Sequence, residues 1–368
     1  MHPRITGIGA VSALGVGSDA LWSGALEGRV GIVERAYGDL VAYVGGAPVE
    51  SAPGERAWRL ARLATGEALA QAGGADSEMA LVVATTKAAI ERGQRYLEGD
   101  APAQALYEMP LHRMATRLAR ELGLRGPVRT VSVACASGTT ALGHAMRLIR
   151  RGRARRVLVV GADALCGFIV RGFASLRALA DAPARPFDAD RTGLSVGEGA
   201  AALVVEAGDG PALARIAGYG GSNDANHITG PSRDGSGLAR ALRLALADAG
   251  IDGAQVDLVS AHGTGTRFND AMEGKGYRSV LGGNRAAVHG MKGATGHAMG
   301  AAGLLEAVLC VRGLQAGLWP PVAGLQTPDP EIDLDPVCGA PRPVDARWAL
   351  SSSSGFSGIN SAVVLCRA

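Results

Sequence analysis

The chain has 368 residues, of which 47% are hydrophobic and 19% charged, a composition that excludes bulk disorder. At roughly 150 residues per domain, this length predicts two to three domains or one large duplicated unit. The formal net charge is only +3, which gives no indication of a nucleic-acid-binding surface.

Short apolar runs alternate with longer helical stretches, as in an α/β protein whose sheets are covered by helices. In the first part, strands are predicted at 4–8, 81–84, 130–133, 157–160 and 201–205. After a Gly-Asp-Gly-Pro segment, five more are predicted at 214–218, 258–261, 287–290, 348–351 and 362–365. Helices are predicted near 139–149, 236–249 and 298–315. Two five-strand parts predict an internal duplication into units 1–207 and 208–368, which meet over a shared site.

Cys135 is the first reactive side chain in chain order, and it lies between a predicted strand and a helix of small residues. Unpaired N–H groups at a helix N-terminus favour the thiolate, by about one pKa unit at most. The neighbouring Ala, Ser and Gly residues leave room for a ligand. By contrast, Cys166, Cys310 and Cys366 lie in apolar runs typical of small buried side chains.

Two histidines lie in glycine-rich turns that follow predicted strands, His262 in AHGTGT at 261–266 and His297 in KGATGH at 292–297. The ends of such strands are where α/β sheets bind ligands. One cysteine with two separated histidines predicts covalent catalysis, with a sulfur nucleophile and imidazoles as donors or proton shuttles. Lys292 is one of only three lysines, which is a weak indication that an ammonium is needed there.

The segment SSSSGFSGIN at 351–360 joins two predicted strands and carries Phe356 between glycines. Such a turn is able to direct N–H groups at an oxyanion and to carry Phe356 as a movable lid. An ordinary hairpin with one apolar anchor explains it equally well from these residues alone.

Several other classes of protein are disfavoured. Five irregularly spaced cysteines without a CxxC pair argue against a disulfide scaffold or a zinc ribbon and indicate a reducing, cytoplasmic location. We predict no membrane segment and no metal, since no long apolar run and no His pair at ligand spacing is found. The glycines at 7–9 and 197–199 lack the context of a dinucleotide loop, and no cofactor is predicted.

Five segments in order resemble the β-ketoacyl-acyl carrier protein synthases. They are VACASG at 133–138, PFD at 186–188 with VGEG at 196–199, AHGTGT at 261–266, KGATGH at 292–297 and GFSGIN at 355–360. With ITGIGAVS at 5–12, the resemblance covers nearly the whole chain. It implies a thiolase-like fold of two duplicated βαβ-rich halves in α-β-α-β-α layers. It also implies a cytoplasmic dimer, normally a homodimer, that condenses an acyl group with malonyl-acyl carrier protein in fatty-acid or specialised polyketide or polyene synthesis.

The resemblance also implies roles for individual residues. Cys135 takes the acyl chain from the phosphopantetheine of an acyl carrier protein. His262 and His297 stabilise the decarboxylating malonyl thioester, and Lys292 positions the surroundings of His297. Glu273 matches the family's acidic partner near that lysine.

Further implied roles concern binding. The N–H groups of Cys135 and Phe356 match the oxyanion hole, and Thr264 and Thr266 match the hydroxyls that hold pantetheine. The basic residues that dock the carrier in the family are missing near 99–100. On a predicted helix, Arg56, Arg59 and Arg62 are the substitutes that we expect to meet an acidic carrier protein.

The sequence departs from the family in two places. The segment between 82 and 111 is shortened and carries Thr85-Thr86-Lys87 where a glycine-rich turn is common, so the chain-length preference does not transfer. Ser354 and Ser357 replace an aromatic residue and a glycine, so the usual gating by Phe356 does not transfer either.

Two functions therefore remain open. The first is an enzyme of the elongation type, which the Cys-His-His pattern favours. The alternative is a non-catalytic or chain-length-determining subunit that forms a heterodimer with another ketosynthase. Such subunits typically lack the nucleophile, whereas Cys135 and both histidines are present here. A degradative thiolase is disfavoured by His297.

Overall fold

The computed structural model describes residues 2–368. Its strands, in chain order, are β1 (Arg4–Ser12), β2 (Gly15–Val16), β3 (Val33–Tyr37), β4 (Leu40–Gly45), β5 (Ala80–Ala84), β6 (Val128–Val131), β7 (Arg156–Asp163), β8 (Val196–Gly197), β9 (Gly199–Glu206), β10 (Ala214–Asn223), β11 (Leu258–Ser260), β12 (Ala287–His289), β13 (Leu318–Trp319), β14 (Arg342–Pro343), β15 (Trp348–Gly355) and β16 (Ile359–Cys366). Its α-helices are α1 (Ser18–Leu26), α2 (Arg56–Gln71), α3 (Ile90–Leu97), α4 (His112–Glu121), α5 (Ser137–Arg150), α6 (Gly167–Ser175), α7 (Ser236–Ala249), α8 (Arg267–Leu281), α9 (Lys292–Thr295) and α10 (Ala302–Ala316).

Ten strands form the main sheet in the order β12-β11-β15-β16-β10-β1-β9-β7-β5-β6, and β2 pairs with β1 as an eleventh. Numbered within its own half, each set of five strands has the spatial order 1-5-4-2-3. The halves join where Ile5 of β1 pairs with Ala214 of β10. All ten predicted strands correspond to these strands, and the repeated order is the internal duplication that the sequence predicts.

Alternating residues along the strands face different helical layers. Val82 and Val159 face a central layer that contains α5 and α10, whereas Leu81 and Val160 face α2 and α4. In the second half, α7 and α8 cover the outer face. The layers therefore run α-β-α-β-α, as expected.

The central helix α10 is enclosed on almost all sides. The stretch Met299–Ala316 is apolar and long enough to cross a membrane, but 83% of it is buried inside the protein. Because α10 lies between the two halves of the core, apolar side chains are favoured on all sides of this helix.

Close contact between α5 and α10 depends on glycine. A Cβ built on Gly303 would lie 2.3 Å from Thr139 Oγ1 and 2.8 Å from the Thr139 backbone nitrogen. We expect Gly303→Ala to lower the free energy of unfolding by about 1–3 kcal/mol through overpacking. Chemical denaturation measures this change.

The matched control is Gly66→Ala in α2, where a Cβ meets nothing within 4 Å. There we expect a gain of about 0.5–1 kcal/mol from helix propensity. If both substitutions have the same effect, the contact between α5 and α10 is not the reason for glycine at 303.

Candidate active site

The predicted reactive residues come from equivalent places in the two halves. Cys135 lies between β6 and α5, and His297 follows β12 and α9 just before α10. His262 follows β11, the strand that neighbours β12. The duplication therefore brings one residue from the first half and two from the second half to one point.

The turn that carries Cys135 is locked in a rare backbone conformation. Ala134 has φ 50°, in the left-handed region that disfavours a side chain. The Ser137 hydroxyl donates to the Ala134 carbonyl at 2.6 Å and accepts from the Val133 N–H at 2.9 Å. Strained positions of this kind concentrate at functional sites, where surrounding contacts hold them in place. As a result, β6 ends at Val131, two residues before the predicted end.

Cys135, His262 and His297 lie together, all buried. One sulfur or nitrogen atom from each lies within 4.8 Å of the other two. The two imidazole rings meet edge to face, with centroids 5.2 Å apart. Backbone hydrogen bonds fix His297 from both sides, from its N–H to Ser195 and from the Gly197 N–H to its carbonyl.

Lys292 lies beneath this trio, fully enclosed, and its ammonium donates to the His262 carbonyl and to Glu306. The Lys292 Nζ to Glu306 Oε1 distance is 2.5 Å. The carboxylate that pairs with the lysine is therefore Glu306, and the assignment of Glu273 to this role is wrong. A single carboxylate in the mostly apolar helix α10 was the sequence signal for Glu306.

Glu273 instead holds the loop that carries His262. Its two oxygens accept the N–H groups of His262 and Gly263, both at 2.7 Å. One turn earlier in α8, Asp270 accepts the N–H of Thr264 at 3.1 Å. The i,i+3 spacing places both carboxylates on one helix face, so they act as positioning groups for the loop.

The two threonines assigned to pantetheine lie at the end of the same loop. The hydroxyls of Thr264 and Thr266 are 2.9 Å apart, and Thr266 is only half-buried. The loop therefore presents a pair of hydroxyls beside His262.

Both imidazoles of this trio are neutral at physiological pH. Burial, followed by the charge of Lys292, lowers the pKa of His262 and of His297 well below the usual value near 6.5. A neutral imidazole has one N–H donor and one acceptor nitrogen. The pair is thus suited to donate hydrogen bonds to a developing oxyanion.

At Cys135, burial outweighs the favourable effect of the helix N-terminus. Burial raises the pKa of the Cys135 thiol to about 11, although the charge of Lys292 opposes the shift. The helix end favours the thiolate by only about one pKa unit, less than desolvation costs. The resting group is a thiol that loses its proton during reaction.

The turn around Phe356 provides the second donor at the sulfur. The backbone N–H groups of Phe356 and of Cys135 itself lie close enough to the sulfur to lower the pKa of the thiol, and a Cβ built on Gly355 would lie 3.2 Å from the Cys135 nitrogen. The Phe356 ring packs on Phe173, with centroids 6.0 Å apart. Ser357, which replaces a glycine of the family, has φ 66°. The turn therefore lies against Cys135, which is the position that the predicted oxyanion hole requires.

The predicted docking arginines do not share one environment. Arg56 points inward and donates to the fully buried Glu198 at 2.8 Å, so its assignment to carrier docking is wrong. Its charge compensates a buried carboxylate. Arg59 and Arg62 are exposed, and Arg62 pairs with Glu121.

One sulfur and two imidazole nitrogens are also donor types that Zn²⁺ takes. Sequence spacing did not show this grouping, because the three residues come from distant segments. As thiol and neutral imidazoles, the same atoms are a nucleophile and two hydrogen-bonding groups.

Comparisons with known proteins agree on one family. Residues 4–209 match the beta-ketoacyl synthase N-terminal domain, and residues 213–326 match the C-terminal domain of the same family. The 3-oxoacyl-[acyl-carrier-protein] synthase 2 of Synechocystis sp. is 34% identical over 399 residues, covering 97% of this chain and 95% of that protein.

Two solved structures are similar over the full chain. One is a type II polyketide acyl carrier protein in complex with its ketosynthase, with TM-score 0.92 and 28% identity, covering 100% of this chain and 99% of that one. The other is the ishigamide ketosynthase/chain length factor, with TM-score 0.91, 31% identity and the same coverages. These neighbours confirm the thiolase-like fold that the sequence resemblance implied.

Proposed function

The chain belongs to the β-ketoacyl synthase family, and on this premise we propose that Cys135, His262 and His297 carry out its condensation reaction. It is an acyltransferase that joins an acyl group to a malonyl unit with loss of CO₂, in fatty-acid or polyketide synthesis. The observation that supports these residue roles is the grouping of their three reactive atoms within 4.8 Å.

In the first step, the Cys135 sulfur attacks the carbonyl carbon of an acyl thioester. The carbon–sulfur bond to the carrier breaks, and the thiol proton reaches the departing sulfur through a neutral imidazole. The N–H groups of Cys135 and Phe356 stabilise the oxyanion of the tetrahedral intermediate. Because the thiol pKa is about 11, the proton leaves with the attack and not before it.

In the second step, a malonyl thioester occupies the space vacated by the first carrier. Its carbon–carboxylate bond breaks, CO₂ leaves, and the electron pair moves to the thioester oxygen as an enolate. N–H donors of His262 and His297 stabilise a charge that develops only as the bond breaks, which lowers the barrier selectively. The enolate carbon then attacks the acyl-Cys135 carbonyl, the carbon–sulfur bond to Cys135 breaks, and the released thiolate takes up a proton from water.

The neutral state of both histidines predicts the pH dependence of decarboxylation. Since their pKa values lie well below 6.5, both remain donors as the pH falls from 8 to 6. We expect kcat/KM for malonyl decarboxylation to change by less than about threefold over this range. A titration with its midpoint near 6.5 would show ordinary imidazoles and contradict the assignment.

The alternative is a non-catalytic subunit that shapes the tunnel of another ketosynthase. The intact trio, with a strained turn that presents Cys135, favours the enzyme. Purified protein with acyl-carrier and malonyl-carrier substrates should give a ketoacyl product and an acyl adduct on Cys135 by intact-mass analysis. No product and no adduct from the purified chain, with activity only after co-expression with a partner synthase, would support the alternative.

We also propose an acyl carrier protein and a second chain of the same fold as partners. One solved relative is a ketosynthase in complex with its carrier, and another is a ketosynthase/chain length factor, which supports both. At the edge of the main sheet, β6 is paired only with β5, and Val128 is exposed. An exposed strand edge is a template for pairing between chains. Light scattering of the purified chain alone measures whether it forms a homodimer. Intact-mass analysis of the complex purified after co-expression with a related ketosynthase subunit shows whether it forms a heterodimer.

The likeness to a type II polyketide ketosynthase and to the ishigamide ketosynthase/chain length factor supports a specialised pathway for this chain. The shortened segment between residues 82 and 111 also supports a specialised pathway, because the corresponding segment shapes the acyl pocket in the family. An acyl-chain series loaded onto Cys135 and read by mass tests this proposal. A preference for ordinary long saturated chains would contradict it.

A further inference from the structure

An arginine-lined groove lies on the surface where α2, α3 and α4 meet. Its volume is about 310 Å³, and its charged lining residues are Glu55, Arg92, Glu108, Arg113, Arg117 and Arg120. Four cations against two carboxylates leave an excess of two positive charges. Such a concave basic surface attracts an acidic partner.

The arginines fall into two kinds. Arg92 and Arg117 both bind Glu55 and together hold the pKa of that carboxyl below its usual range, although burial alone would raise it. Arg117 also lies over the buried Trp58 ring, 4.1 Å from its centroid, a cation–π contact that fixes the wall of the groove. These two arginines therefore stabilise the groove through contacts within the protein.

Arg113 and Arg120, one on each side of Arg117 in α4, leave their charges available. Arg113 uses only its Nε, donating to the Tyr107 carbonyl at 3.0 Å. Arg120 is exposed and has no side-chain hydrogen bond or ion pair within residues 2–368. Tyr107, whose carbonyl accepts the bond from Arg113, is 69% exposed. The groove thus combines free cations with a large exposed aromatic residue, which matches an amphipathic acidic helix.

A series of contacts connects the groove with Cys135. A small neighbouring pocket shares four lining residues with the groove and is also lined by Ala88 and Ala89, which directly follow the Thr85-Thr86-Lys87 turn. Thr85 and Thr86 hydrogen-bond to the buried Asp163, which lies close enough to Cys135 for its charge to act on the thiol. A helix bound in the groove would therefore lie near the site where its tethered thioester reacts.

We propose that this groove, through Arg113 and Arg120, is the docking surface for an acidic helix of the carrier protein. The inference rests on the proposed function, and it replaces the docking role predicted for Arg56. It also accounts for the missing basic residues near 99–100, because the shortened segment leaves α4 to supply the cations.

The test compares two substrates in the Arg113→Glu/Arg120→Glu double variant. With malonyl-carrier substrate, we expect KM to rise roughly tenfold or more, because two attractive charges become repulsive. With a carrier-free malonyl-pantetheine thioester, the ratio of variant to wild-type kcat/KM should be close to that of a control. The control is Arg240→Glu on α7, an exposed arginine on the outer layer of the other half.

Each outcome decides one proposal. If wild type condenses both substrates and the double variant loses only carrier-dependent turnover, the groove is the docking surface. The Arg113→Lys/Arg120→Lys variant should then keep most carrier-dependent turnover. If the double variant matches the Arg240→Glu control with carrier, or loses turnover equally with both substrates, the docking proposal is wrong. If wild type condenses neither substrate, the proposed function itself fails.

Discussion

In the Cys135→Ala variant, we expect no acyl adduct and a rate of condensation at least about a thousandfold below that of wild type. The reaction requires a covalent carrier for the acyl group, and Cys310 and Cys366 are sealed in the core while Cys338 is exposed elsewhere. Intact-mass analysis after incubation with acyl-carrier substrate measures the adduct, and product quantification measures condensation.

Cys338→Ala is the matched control, since it removes a thiol without touching the trio, and it should be acylated like wild type. A Cys135→Gln variant, whose amide resembles an acylated cysteine, should still decarboxylate malonyl thioester because His262 and His297 remain in place. Acylation of Cys135→Ala at the wild-type level, or condensation by Cys135→Gln, would show that another residue is the nucleophile.

Much of the fold could be predicted from the sequence because its main strands are short apolar runs between helices. The predicted helix at 236–249 corresponds to α7, and all ten predicted strands lie in the main sheet. The small sheet of β3, β4 and β8 was missed. Its strand β3 is mostly exposed and carries two adjacent charged residues, and β8 has only two residues, so neither shows the apolar pattern of a buried strand.

The nucleophile and the two histidines of the site could be predicted from the sequence, because they lie in turns rich in small residues and glycine. The electrostatics of the site could not be predicted. The charge state of Cys135 depends on desolvation by residues distant in sequence, and no local pattern measures that. The partner of Lys292 was missed for a similar reason, because Glu306 reaches it across a helix packing contact. Arg56 looked like a surface cation, yet it is needed to neutralise the buried Glu198.

Removal of one charge from the Lys292–Glu306 pair is the second change that we expect to have a large effect, because both side chains are buried. Removing one partner leaves an uncompensated buried charge, and we expect Lys292→Met or Glu306→Leu to lower the free energy of unfolding by about 3–5 kcal/mol. The double variant Lys292→Met/Glu306→Leu removes both charges and should recover most of that loss. Chemical denaturation of the four proteins completes the cycle.

Activity separates this structural role from a catalytic one. The Lys292 ammonium holds the His262 carbonyl and lowers the pKa of the Cys135 thiol, so the stable double variant should still lose on the order of a hundredfold in decarboxylation. As a control, Arg367→Met at the exposed Arg367–Asp345 pair should cost at most about 1 kcal/mol and no activity. A double variant with wild-type turnover would mean that the buried charge serves folding alone, and the positions of the two imidazoles would then need no lysine to maintain them.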